Sequence, residues 1–188
     1  MENNREMMQA YRLLRNTNTS FFLTGRAGTG KTTFVKNAQK EIHKSFIVLA
    51  PTGVAAINAG GVTIHSFFGF EPKVLTSYDK ARLNGDHFAI LRSADTIIID
   101  EVSMVDTRLM LSLLKAVKNT TKVIFLGDPA QLPSIGLGNI MTDLLNHKGI
   151  VSVVELTQIH RQAQKSAIIT QSIAMRENKL IVPYDFRG

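Results

Sequence analysis

The chain has 188 residues, 44% of them apolar, which is enough for one domain with its own core. A formal charge of +7 favours an anionic partner, nucleic acid first, and the lack of cysteine excludes disulfides and thiolate metal sites. The longest apolar runs are strand-length, which excludes a helical membrane span, and the charged start Met1–Glu6 lacks a secretory signal, so a cytoplasmic protein is expected.

In chain order, Asn4 to Asn16 predicts an amphipathic helix, with Met7, Met8, Tyr11 and Leu14 at helical spacing. It can pack as a lid on a sheet edge or bring Gln9 to an adenine. Ser20 to Thr24 predicts a short buried strand. Gly25-Arg26-Ala27-Gly28-Thr29-Gly30-Lys31-Thr32 then fits the phosphate-loop pattern G-x-x-x-x-G-K-[ST] at every required position. Thr33 to His43 predicts the helix that the motif needs, with Phe34, Val35 and Ala38 on one side and Lys36 and Lys40 on the other.

Ser45 to Ala50 is a second strand, followed by Pro51-Thr52-Gly53 and a small helix from Val54 to Ala59. Gly60 to Phe68 reads as a turn, a short extended piece and two adjacent aromatics. Phe70 to Gly85 reads as an irregular insertion, and His87 to Arg92 as a short helix. Thr96 to Glu101 is a strand of β-favouring residues ending in two carboxylates. A helix is expected over Asp106 to Val117, a strand over Lys122 to Leu126, and a helix over Gly138 to Asn146. A fifth strand covers Ile150 to Leu156, and a last helix runs from Lys165 to Arg176.

Five nearly all-apolar strands alternating with helices predict an α/β fold, a doubly wound parallel sheet. Such sheets bind ligands beyond the carboxyl ends of their strands. The phosphate loop, Thr52-Gly53, Asp100-Glu101, Asp128 with Gln131, and Arg161 all follow strands, so folding brings them to one edge.

The chemistry of that edge follows from residue type. Glycines let successive N–H groups turn inward as an anion nest, and the following helix adds its positive end. Lys31 reaches the outer phosphates of ATP, and the Thr32 hydroxyl suits Mg²⁺. The nucleotide-binding set is Gly25, Ala27, Gly28, Thr29, Gly30, Lys31, Thr32 and Thr33, with Gln9 as the adenine candidate. Asp100 can hold the metal with Thr32, and Glu101 can orient or deprotonate the attacking water. The Gln131 amide can sense the γ-phosphate, and Arg161 can supply charge to the transition state. Thr52 and Thr63 can bond phosphates of a nucleic-acid strand, while His65, Phe67 and Phe68 can stack on bases. Adjacent phenylalanines are also what a core uses, and at least one of the two is expected to be buried.

Six blocks in order resemble the Pif-type and RecD-type superfamily 1 DNA helicases. They are the phosphate loop, Ala50-Pro51-Thr52-Gly53-Val54-Ala55-Ala56, Gly61 to Phe67, Ile99 to Val105, Gly127 to Pro133, and Leu156 to Gln162. The resemblance implies a single RecA-like P-loop domain over residues 1–188, the first motor domain of an ATP-driven helicase moving 5′ to 3′ on single-stranded DNA. By it, Lys31, Glu101, Gln131 and Arg161 are catalytic, Thr32 and Asp100 hold Mg²⁺, and Thr52, Thr63, His65 and Phe67 contact DNA. A second RecA-like domain is expected in the full-length protein, and without it hydrolysis should be slow. The alternatives are another P-loop enzyme, AAA-type or a nucleotide kinase, and a module that binds nucleotide and DNA without turnover.

Overall fold

β1 (Phe21–Gly25) is buried along its whole length, as a strand covered on both faces must be. It lies inside a six-stranded sheet with β2 (Phe46–Ala50), β3 (Val62–Thr63), β4 (Thr96–Ile99), β5 (Lys122–Gly127) and β6 (Ser152–Leu156). The order is β3-β2-β4-β5-β1-β6, and every pairing is parallel. This computed structural model describes residues 4–158 apart from 74, 77 and 148. Arg161 and the helix expected at 165–176 lie outside the described residues.

Side-chain alternation along the strands sends successive residues to opposite faces. Phe21, Leu23, Val48, Ile98, Ile124 and Leu126 pack on one side against α1 (Arg5–Asn16), α2 (Lys31–Glu41) and α3 (Gly53–Ala59). Phe22, Ile47, Leu49, Ile97, Ile99 and Phe125 pack on the other. There they meet α4 (Ile64–Phe68), α5 (Gly85–Ser93), α6 (Thr107–Ala116) and α7 (Ile140–Asn146). The expected doubly wound architecture is therefore present.

The helix starts follow the capping rule. Asn4, Thr52, Thr63, Asn84, Asp106 and Asn139 each accept from a backbone N–H three residues on. The other end of α1 is held differently. Lys122 Nζ donates to the carbonyls of Leu13 at 3.0 Å and Leu14 at 2.9 Å, and Lys44 Nζ donates to Leu14 at 3.1 Å. Burial, with Lys44 nearby, pushes the Lys122 ammonium down to about 8.

Two elements differ from the sequence reading. β3 is a sixth strand of two residues, pairing Val62 with Leu49 and Thr63 with Ala50. Gly61 permits it, because a Cβ there would run into the Val48 carbonyl. The aromatics after it are helical: α4 is a single turn, capped by Thr63 and ended by Gly69 in the left-handed region. Among the described residues no helix is long and apolar enough to cross a membrane.

Candidate functional site

All six strands point the same way, so their carboxyl ends share one edge, where the phosphate loop, Thr52, Asp100, Glu101, Asp128 and Gln131 stand. After β1, Gly28 and Gly30 take left-handed φ values of 81° and 97°, which turns the loop into the start of α2. Thr29 is buried, and its hydroxyl donates to Arg26 O at 2.8 Å, bracing the loop from within. Lys31 Nζ donates to Gly25 O at 2.6 Å and Arg26 O at 3.3 Å, so the ammonium lies across its own loop. Thr32 is half-buried beside it, while Ala27 and Thr33 are exposed.

β4 delivers the carboxylates. Asp100 is 5% exposed, and its Oδ1 accepts from the Glu101 N–H at 2.9 Å. Glu101 is the one non-glycine among the described residues with positive φ, at 53°. This left-handed kink stops the strand and opens a 3₁₀ turn over Val102–Met104. Glu101 Oε2 is buried with no hydrogen-bond partner. β5 delivers Asp128, which is fully buried, with Oδ1 accepting from Ala130 N at 2.8 Å. Gln131 N donates to Asp128 O, and Gln131 Oε1 accepts from the buried hydroxyl of Ser103 at 3.0 Å.

These groups feel one another electrostatically. Burial lowers the affinity of Lys31 for its proton, and Asp128, Glu101 and Asp100 oppose that shift. Burial raises Asp100; the Glu101 N–H opposes this, the Glu101 carboxylate adds to it, and Lys31 opposes it. One cation therefore feels three carboxylates from two neighbouring strands. Asp128 belongs to this cluster, yet the sequence reading gave it no role. Its signal is an acid directly after a buried strand, in Gly127-Asp128-Pro129.

The nucleic-acid candidates divide. Thr52 and His65 line a groove of about 710 Å³ beside Met104, Arg108 and the loop Pro133–Leu137. Ile135 and Leu137 of that loop, and Leu132 just before it, are highly exposed apolar residues that no sequence pattern singles out. Thr63 caps α4 at the same edge. Phe67 is corrected from a base-stacking ring to a core residue: it is 3% exposed and stacks on His87 with ring centres 4.7 Å apart. Phe68 is fully buried as well. The helical turn of α4 causes this, since it points both rings inward. Gln9 lies on the exposed side of α1, whereas Glu6 of that helix accepts from Thr157 Oγ1 at 2.9 Å, just past β6.

A family model described as the AAA domain matches residues 3–183. The chain belongs to that family. This AAA domain is 36% identical over 158 residues to an ATP-dependent RecD2 DNA helicase of Deinococcus radiodurans, covering 78% of this chain and 20% of that protein. It is 34% identical over 143 residues to an ATP-dependent DNA helicase Pif1 of Bdellovibrio bacteriovorus, covering 69% and 32%. Its fold matches Pif1 helicase from Bacteroides in complex with ADP-AlF3 and ssDNA, with a TM-score of 0.77 and 32% identity over 96% of this chain and 47% of that one. The RecA-like fold and the resemblance to Pif-type and RecD-type helicases, first seen in six motifs, both hold. The AAA domain spans less than half the length of these relatives.

Proposed function

We propose that this chain is the ATP-binding and ATP-hydrolysing motor domain of a DNA helicase that moves 5′ to 3′ on single-stranded DNA. The observation that carries the proposal is the meeting of Lys31, Asp100, Glu101 and Gln131 at one sheet edge beside a glycine-turned phosphate loop. On this reading Lys31 leaves the Gly25 and Arg26 carbonyls and takes the outer phosphates, while backbone N–H groups of the loop hold the rest. Water attacks the γ-phosphorus, the bond to the β–γ bridging oxygen breaks, and ADP leaves. Glu101 accepts the proton of the attacking water. Gln131 donates to a γ-phosphate oxygen, and Arg161 supplies positive charge there.

Mg²⁺ suits the residues present. Asp100 is a buried carboxylate whose charge is disfavoured, and Glu101 Oε2 is a buried oxygen with no partner, so a cation gains from both. Thr32 and Asp100 would hold it, and it would neutralise charge on the β- and γ-phosphates.

The groove with Thr52 and His65, together with Thr63, is the proposed face for the single strand. The similarity to ATP-dependent DNA helicases favours DNA over a protein client or a nucleobase acceptor. A second RecA-like domain in the longer protein would close the nucleotide cleft, and a cytoplasmic location suits a chain without cysteine.

The test is steady-state ATP hydrolysis with and without a single-stranded oligonucleotide, beside Lys31→Ala. Weak Mg²⁺-dependent hydrolysis that Lys31→Ala abolishes is the expected result. A chain that fails to bind ATP at all sinks the proposal.

A further inference from the structure

Ser103 has no role in the chemistry described above, yet it is 2% exposed and gives its hydroxyl proton to Gln131 Oε1 at 3.0 Å. Two features give this contact meaning. The first is the amide itself. A primary amide presents an acceptor on one side and two donors on the other, and only the donor side suits a phosphate oxygen. Free in solution, the group turns over at little cost. With Oε1 engaged by Ser103, the NH₂ group is turned away from the serine and kept available. The second is where Ser103 sits. It lies two residues after Glu101, in the 3₁₀ turn that the left-handed Glu101 backbone opens. That turn is closed by Met104 N to Glu101 O and Val105 N to Val102 O, each at 3.0 Å. Ser103 is therefore rigidly tied to the carboxylate strand, whereas Gln131 belongs to the loop after the neighbouring strand.

We infer that Ser103 is a positioning residue that orients the Gln131 amide with its donor side toward the γ-phosphate, linking the Glu101 turn to the loop after β5. The inference rests on the nucleotide-site reading above. It makes the ATP-over-ADP preference of the site depend on a buried hydroxyl that touches neither the nucleotide nor the metal.

The experiment is a calorimetric titration of the whole chain with ADP and with the β,γ-imido analogue of ATP, both with Mg²⁺. Gln131→Ala should lower the preference for the triphosphate about tenfold, and Ser103→Ala by about threefold to tenfold, with ADP affinity unchanged. The double variant should lose no more than Gln131→Ala alone, because the serine acts only through the glutamine. Ser103→Thr, which keeps the hydroxyl, should restore the preference. A wild-type preference in Ser103→Ala, or losses that add in the double variant, would overturn the inference. So would a Ser103→Thr protein that folds but has lost the preference.

The side-chain amide resonance of Gln131 in ¹⁵N-labelled protein gives a reading without nucleotide. It should move in Ser103→Ala, and an unmoved resonance overturns the link. If neither nucleotide binds the wild type, the nucleotide-site reading fails, while this resonance still decides the contact.

Discussion

Glu101 occupies a backbone region that side chains with a Cβ avoid, between a fully buried strand and a buried turn. That conformation costs about 1–2 kcal/mol relative to the right-handed one, and glycine would not bear it. Strain of this kind persists where the surroundings over-determine a residue, and it collects at functional sites. The carboxylate is also half-desolvated, with one buried oxygen unpartnered. Glu101→Gly should therefore raise the urea midpoint, by about 1 kcal/mol in stability, while removing ATP turnover. Equilibrium unfolding beside a hydrolysis assay checks both halves. A destabilised variant would mean that the Glu101 side chain holds the turn, and that the strain has a structural rather than a chemical use.

At the scale of elements, the phosphate loop is set by what lies around it as much as by its own glycines. A Cβ on Gly25 would sit 2.6 Å from Thr29 Oγ1 and 2.7 Å from the Leu156 carbonyl. The carbonyl belongs to β6 and cannot swing aside. Gly25→Ala should therefore push β1 from β6, lowering stability by about 1–3 kcal/mol and nucleotide affinity at least tenfold. Denaturant melts and titration with ADP measure the two effects. The end of α1 gives a pH prediction. Lys122 binds its proton less tightly in the folded chain, near 8, than at the ordinary lysine value of 10.5. The unfolded chain thus holds more protons between these values, and stability rises with pH across that window. Lys122→Met should flatten the rise, as read from urea midpoints at pH 7.5, 8.5 and 9.5.

Most of this level was legible in the residues. β-rich runs point to five strands and apolar spacing to the longer helices, whereas the Asn84 cap, which starts α5 two residues before the expected His87, carries no apolar signal. What escaped were features too short to carry a period: the pairing of the extended piece Val62–Thr63 into the sheet, α4 and the turn after Glu101. Without α4 nothing in the residues decides which of Phe67 and Phe68 is buried, and Phe67 stands as a candidate for stacking on bases. The contact of Ser103 with Gln131 spans 28 positions, and no local pattern announces it.

For the molecule as a whole, the parallel arrangement explains why one edge holds the phosphate loop, Thr52, Thr63, Asp100, Glu101, Asp128 and Gln131. It also sets the order in which that edge can come into being during synthesis. β1 carries the phosphate loop, but it has no partner nearby in the chain. Phe21 pairs with Ile124 on one side and Ser152 on the other. β2, β3 and β4 can pair among themselves much earlier. The strand that begins the nucleotide site is thus among the last to be enclosed, and both its edges stay unpaired until β5 and β6 emerge. A chain ending at Thr121 should bind no ADP, although its phosphate-loop sequence is intact. A ribosome stalled there would display the motif without the site, and that interval is when a chaperone would be needed.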